Sequence, residues 1–175
     1  LTVGRQGGEP IAIHQRASRK NAWDKCIALL HKVRIPDPEQ RANAYPYQFS
    51  GGMRQRAMIA MSLACEPELI IADEPTTALD VTIQAQILRL LRGLCDKRGM
   101  AIILITHDLA VVAETCDRIA VMYRGRLCEV GTPSELFAPP YHPYTEALLA
   151  ATGEKTRAPI SVPKRFGQKF AFISV

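Results

Sequence analysis

Apolar residues recur at helical spacing over residues 18–33. Ala22, Cys26, Leu29, Leu30 and Val33 fall on one stripe, and Ser18 stands where an N-cap belongs. The pattern predicts a helix there, stopped by Ile35-Pro36-Asp37-Pro38. Residues 1–10 are Gly-rich and lack apolar periodicity, so they read as loop. Residues 41–49 are aromatic and broken by Pro46, which predicts irregular chain with one helical turn. A second helix is expected over 51–65, ended by Glu66-Pro67. The texture then changes. Residues 69–72, Leu-Ile-Ile-Ala, form a continuous apolar run, the pattern of a strand buried on both faces. An amphipathic helix follows over 81–97, with Ile83, Ile87, Leu90 and Leu94 on one face and Gly99 just past its end. Residues 101–105 repeat the buried-strand pattern.

Residues 69–105 thus read as strand, helix, strand, the length of a βαβ unit with two parallel strands. A short helix is predicted over 109–115. Arg124-Gly125 separates two strand-like runs, 119–123 and 126–130, as in an antiparallel hairpin. Short helices are expected over 134–137 and 143–151, the latter with Pro143 in its first turn. From Gly153 onward the chain is rich in Pro, Lys and Arg without periodicity and reads as a flexible tail. No internal repeat is visible. The fold class is α/β.

Composition narrows the function classes. With 47% hydrophobic and 22% charged residues, the chain has the balance of a globular domain. No apolar run approaches the ~20 residues of a membrane-spanning helix, and no signal peptide opens it. Leu at position 1 is a hint of a fragment or a processed chain. The net charge of +5 fits either a solvated surface or an acidic partner such as a nucleotide. Cys26, Cys65, Cys95, Cys116 and Cys128 are odd in number and form no CxxC pair, which predicts reduced thiols in a cytosolic protein.

Two places carry candidate chemistry. Asp73-Glu74 ends the first buried strand and Thr106-His107-Asp108 ends the second. Ligands collect at the carboxyl ends of parallel strands, so both sets are expected on one edge. Two acids and a His there suit a metal–phosphate site: one carboxylate for Mg²⁺, a second to polarise an attacking water. The plainer alternative makes Asp73 a turn cap and leaves Glu74 and His107 solvated. The second place is Phe49-Ser50-Gly51-Gly52-Met53, directly before a helix. Ser50 is a good N-cap. Gly51 and Gly52 leave the first-turn N–H groups bare for an anion, with Arg54 and Arg56 nearby. The plainer alternative is an ordinary capped helix.

FSGGM, LIIADEP, TALD and ILITHD, in that order and spacing, resemble the ATP-binding subunits of ABC transporters. The resemblance covers residues 1–151 and implies a partial P-loop NTPase, with a helical signature subdomain and a small antiparallel hairpin. It makes 49–53 the signature motif and 69–74 Walker B, with Asp73 holding Mg²⁺ through water and Glu74 as catalytic carboxylate. Ala78-Leu79-Asp80 takes the place of the D-loop, and His107 that of the switch histidine. Ser50, Gly51, Gly52, Met53 and Asp80 would contact ATP. The implied division is 1–152 as the cassette part, with 14–65 helical, 66–131 core and 132–152 C-terminal helices. Residues 153–175 form a divergent tail.

The run from Pro46 to Leu88, with His142-Pro143-Tyr144-Thr145, is similar to the dipeptide/oligopeptide importer branch, whose pattern nickel and glutathione importers share. Implied partners are a second ATP-binding subunit facing head to tail, two membrane-spanning permease subunits and, indirectly, a periplasmic or extracellular solute-binding protein; no nucleic acid is expected. The implied location is the cytoplasmic face of the bacterial cell membrane. The family's Walker A sequence, GxxxxGK followed by Ser or Thr, is absent from these residues, as is the Q-loop glutamine. An amino-terminally truncated ATPase subunit is therefore expected, inactive as an isolated chain. The alternatives are a remnant that only binds partners, the first cassette of a fused double-cassette ATPase, and a soluble ABC ATPase of translation or DNA repair. The last is disfavoured by the lack of a coiled-coil insertion or charged linker.

Overall fold

The computed structural model describes residues 1–77, 79–139 and 141–151, and the backbone of 169–174. The chain divides into two compact units. One comprises Leu1–Glu68 with Thr76–Gly93, the other Leu69–Pro75 with Leu94–Val175.

The first unit is helical. It holds helices α1 (Val3–His14), α2 (Arg19–Lys32), α3 (Pro38–Ala42) and α4 (Gly51–Ser62), with a 3-10 turn at Pro46–Gln48 between α3 and α4. The predicted stripe of α2 is the buried one: Ala22, Cys26, Leu29 and Leu30 are buried, and Val33 follows at 0% exposure. Ser18 caps the helix by accepting from the Asn21 N–H at 3.2 Å. Burial pushes the Cys26 thiol up to a pKa of about 11.

The expected loop at residues 1–10 is instead the first part of α1. Glycine costs a helix interior about 1 kcal/mol and proline about 3 kcal/mol, so Gly4, Gly7, Gly8 and Pro10 argue locally for loop. Tertiary contact reverses this. A Cβ at Gly4 would lie 2.6 Å from the Trp23 ring and 2.8 Å from the Ala42 carbonyl oxygen. A Cβ at Gly7 would lie 2.6 Å from Cys26 Sγ. The glycines are where α1 touches α2 and α3, and Val3 and Ile11 bury their side chains beside them.

The second unit is built on a five-stranded sheet ordered β1-β2-β5-β3-β4. β1 (Leu69–Asp73) and β2 (Ala101–Ile105) are parallel, with Leu69 opposite Ala101 and Asp73 opposite Ile105. Between them in the chain runs α5 (Val81–Arg98), which passes from the first unit into the second and ends before Gly99, at φ +66°. Helix α6 (Leu109–Thr115) has the predicted span. β3 (Arg118–Tyr123) and β4 (Arg126–Gly131) form the predicted hairpin. Its turn residues, Arg124 at φ +48° and Gly125 at φ +74°, both take the left-handed conformation that a tight two-residue hairpin demands. Helices α7 (Pro133–Leu136) and α8 (Pro143–Ala151) follow.

Two expectations are corrected here. β1 is buried on one face only: Ile70 and Ala72 are covered, while Leu69 is 47% and Ile71 64% exposed. The apolar run is composed for cover on both sides, and the described residues supply one. The tail reading also gives way at its end, where Lys169–Ser174 form β5, parallel to both β2 and β3. A six-residue strand recruited by distant partners has no local periodicity long enough to announce it. The rest of the predicted tail, residues 153–168 and 175, lies outside the described residues.

Candidate active site

Asp73 closes β1 and Glu74 follows it at the carboxyl edge of the sheet. The Glu74 N–H donates to the Ile105 carbonyl at 2.9 Å, which carries the β1–β2 pairing one residue beyond the strand. Glu74 has φ +46°. Such a left-handed conformation costs a non-glycine residue of the order of 1–3 kcal/mol and persists where the surroundings over-determine it. Proline at position 75 disfavours the right-handed helical region for its predecessor, so the sequence holds one clue to this unusual backbone.

On the neighbouring strand end, His107 Nδ1 lies 2.7 Å from Glu74 Oε1. An ionised carboxylate can only accept, which places the proton on Nδ1 and leaves Nε2 for another partner. The pair is accessible, with the histidine side chain 67% and the glutamate 37% exposed. Thr106 is buried and its Oγ1 accepts from the Asp108 N–H, while Asp108 caps α6 by accepting from Val111 N–H at 3.1 Å. His107 is thus held between a buried residue and a capped helix. The structure brings Asp73, Glu74 and His107 to one sheet edge. Among the described residues no three His, Cys, Asp or Glu side chains converge to hold a metal on their own. The donor set still fits Mg²⁺: an exposed carboxylate at Asp73 is a hard oxygen ligand, and this ion takes one or two carboxylates with phosphate and water completing its shell.

The second candidate lies in the helical unit. Ser50 caps α4, its Oγ accepting from the Met53 N–H at 3.3 Å. The N–H groups of Gly51 and Gly52 have no partner within the helix. Asp80 plays the same part for α5, accepting from Ile83 N–H at 2.9 Å. Leu79 and Ile83, on either side of Asp80, pack against Gly51 and Gly52. A Cβ at Gly51 would lie 3.3 Å from Leu79 Cδ2, and one at Gly52 only 2.9 Å from Ile83 Cγ2. The glycines therefore serve close packing as well as an open helix end, a role that spacing along the chain does not disclose.

The two arginines expected to add positive charge are engaged in structure. Arg54 Nη1 donates to the Phe49 carbonyl at 2.7 Å. Arg56 donates to the Val33 carbonyl at 3.0 Å and to Gln86 Oε1 at 2.9 Å. Burial, and then the like charge of Arg34, lower the Arg56 pKa. Together these bonds fix the segment before α4 and tie α4 to α5.

The described residues contain no helix long and apolar enough to cross a membrane. The family model for ABC transporters matches residues 2–77. A probable peptide ABC transporter ATP-binding protein of Sinorhizobium fredii is 61% identical over 156 residues, 89% of this chain and 47% of that protein. The dipeptide transport ATP-binding protein of Bacillus subtilis is 56% identical over 151 residues, 86% of this chain and 45% of that protein. The glutathione import ATP-binding protein of Escherichia coli is 52% identical over 167 residues, 95% of this chain and 27% of that protein. The chain spans about half the length of the first two. A solved dimeric bacterial ABC transporter cassette superposes with a TM-score of 0.66 at 30% identity, over 76% of this chain and 57% of that one. The same cassette in a post-hydrolysis state with ADP and Pi matches equally. Motif order, the Glu74–His107 edge, the capped SGG helix and these likenesses agree: the chain belongs to the ABC transporter ATP-binding family and corresponds to part of such a domain.

Proposed function

We propose that the chain supplies the signature and hydrolytic part of an ATP-binding subunit that couples ATP hydrolysis to peptide import. The observation that carries this reading is the Glu74–His107 contact of 2.7 Å at the carboxyl edge of the sheet, beside Asp73. Glu74 orients the attacking water and accepts its proton as the γ-phosphoryl group departs. His107 holds the carboxylate by its Nδ1–H, and Nε2 remains to meet the phosphate. Mg²⁺, when bound, would neutralise charge developing on the phosphates, with Asp73 holding it through water. The first turn of α4, with Ser50, Gly51, Gly52 and Met53, offers N–H groups to the γ-phosphate of a nucleotide bound by a second cassette facing it head to tail. Asp80 orders the loop that packs on this turn.

Peptide substrates are inferred from relatives named for peptide, dipeptide and glutathione transport. The partners are those the resemblance to importers implies: two permease subunits, an external solute-binding protein and a second ATP-binding subunit, the last in keeping with the dimeric form of the similar cassette. The chain would work at the cytoplasmic face of the membrane. The phosphate-cradling GxxxxGK loop is not among the residues of this sequence, so the test below supplies it.

The test joins this sequence to a Walker A segment from the peptide-transporter relative and compares Glu74→Gln with the unaltered cassette. Hydrolysis should fall by about 10²–10⁴-fold, the usual worth of a general base, while ATP binding persists. Unchanged turnover in Glu74→Gln refutes the assignment. A mixed dimer with Ser50→Arg on one subunit tests the trans contact. Hydrolysis should fail at the nucleotide held by the unaltered subunit; failure at the altered subunit's own nucleotide refutes it.

A further inference from the structure

Helix α2 ends in a Schellman turn. The Ile35 N–H donates to the Leu30 carbonyl at 3.0 Å and the Arg34 N–H to the His31 carbonyl at 2.9 Å, while Leu30 and Ile35 are both buried. The residue at the head of such a turn takes a left-handed backbone, and glycine is its usual occupant because a Cβ is strained there. This chain sets Arg34 in that place, at φ +61°. Arg34 is exposed, and its guanidinium makes no hydrogen bond or ion pair among the described residues. No such contact offsets the strain of its backbone.

A second guanidinium stands beside it. Arg56, on α4, donates from Nη1 to the carbonyl of Val33, the residue before Arg34, at 3.0 Å, and from Nη2 to Gln86 Oε1 of α5 at 2.9 Å. Other N–H groups of this guanidinium remain for a further partner. Burial, and then the charge of Arg34, lower the Arg56 pKa, with no carboxylate raising it. Asp37 and Glu39, the next acids along the chain, pair with neither arginine. Lys32, exposed in the last turn of α2, adds charge of the same sign.

Like charges held together at a strained backbone, without a counter-charge, are relieved by an anion. A guanidinium presents its N–H groups as a planar fork that matches phosphate oxygens, and two forks can clasp one tetrahedral anion. We propose that Arg34 and Arg56 form a phosphate-binding site where the end of α2 meets α4 and α5, for inorganic phosphate or the phosphate group of a phosphomonoester. Arg56 ties α4, the helix that carries Ser50, Gly51 and Gly52 in its first turn, to the end of α2 and to α5. A bound phosphate neutralises the repulsion across that tie and holds α4 more firmly, which makes it a regulator of how the first turn of α4 is seated.

The test uses the full chain, Arg34→Gln, which keeps the strained backbone and loses the charge, and Arg34→Gly, which loses both. In nitrogen-15 spectra the Nε–H resonances of Arg34 and Arg56 should move together as inorganic phosphate is added at constant ionic strength. Half-saturation should be of the order of millimolar, the worth of two or three charge-assisted hydrogen bonds. The Arg56 resonance should stay still in Arg34→Gln, and acetate should move neither signal in the unaltered chain. Glucose 6-phosphate separates the two sources: saturation by both compounds identifies the free ion as a sufficient ligand, and saturation by the ester alone identifies a phosphorylated molecule, each in support of the site. In chloride, Arg34→Gly should raise the urea midpoint, because strain and repulsion are removed together. Phosphate should raise the midpoint of the unaltered chain by more than that of either variant, the excess being specific binding over the general effect of an excluded salt. No saturable shift with either phosphate compound, an equal response to acetate, or the same response in Arg34→Gln overturns the proposal. So does a lower chloride midpoint in Arg34→Gly, which would show that the arginine serves the fold itself.

Discussion

Replacing Gly4 by alanine sets two effects of known size against each other. In a helix interior alanine is favoured over glycine by about 0.8–1.0 kcal/mol. If residues 1–10 were a loop, or a helix with its glycines facing solvent, Gly4→Ala would be neutral or stabilising. In the structure the new methyl group would meet Trp23 ring carbons at 2.6 and 2.7 Å and the Ala42 carbonyl oxygen at 2.8 Å. A tryptophan ring held against α1 can tilt, but the Ala42 oxygen is backbone at the end of α3 and moves only with that helix. Overpacking of this kind costs about 1–3 kcal/mol, which exceeds the propensity gain. The expected net effect lies between no change and a loss of about 2 kcal/mol, the difference of those two terms. Gly93 supplies the control. It lies inside α5, and a methyl group added there would have nothing within 4 Å, so Gly93→Ala should stabilise by up to about 1 kcal/mol. Urea denaturation followed by circular dichroism reads both as shifts of the midpoint at constant slope. A Gly4→Ala midpoint equal to or above that of Gly93→Ala would show that α1 does not seat on α2 and α3 through its glycines.

Two further outcomes follow from the helix ends and the thiols. Ser50→Ala removes the oxygen that accepts from Met53 N–H and should cost about 1 kcal/mol in the same assay; Ser50→Asp should keep the cap and the stability, and a loss as large as that of Ser50→Ala would contradict the capping role. Cys26, with its pKa raised from 9.0 to about 11 by burial, should carry about a hundredfold less thiolate than an ordinary cysteine at pH 8. Iodoacetamide should therefore label exposed Cys65 well before Cys26 in the native chain. The raised value also fixes the direction of the pH dependence: the fold favours the neutral thiol, so its contribution is whole below pH 9 and is lost as pH rises from 9 towards 11. Cys26→Ala should flatten that alkaline limb, and an unchanged limb would refute the linkage.

The sequence makes legible whatever local chemistry alone decides. The stripe of α2, the span of α6 and the Arg124-Gly125 turn each follow from spacing, a capping side chain or a positive φ, and each stands where those signals put it. The elements that escape such a reading depend on partners far away in sequence. Helix α1 defies its own glycines because Trp23, Cys26 and Ala42 occupy the space their side chains would need. Strand β5 has no periodic context, and its pairing partners lie some fifty to seventy residues earlier. The apolar character of 69–72 is plain in the chain, but how much of it is covered depends on what else packs there, which no run of residues can state about itself.

The candidate site divides along the same line, and this decides which substitutions report on function. That Asp73, Glu74 and His107 share an edge follows from the βαβ reading; that Glu74 sits at φ +46° with His107 Nδ1 at 2.7 Å does not. For the signature, the glycines look like the natural targets, since a bare helix end needs them. The packing argues otherwise. A methyl group at Gly52 would press on Ile83 at 2.9 Å, beside the Asp80 cap of α5. Loss of activity in Gly52→Ala would therefore mix a displaced α5 with a blocked phosphate site. Ser50 carries no such burden. It is exposed, and its hydroxyl serves the cap to Met53. Ser50→Asp preserves that bond while setting a negative charge where an anion should bind. A stable Ser50→Asp cassette that no longer hydrolyses ATP with a partner isolates the phosphate contact from the fold. One that hydrolyses normally removes the anion-binding role from the first turn of α4 and leaves it an ordinary capped helix.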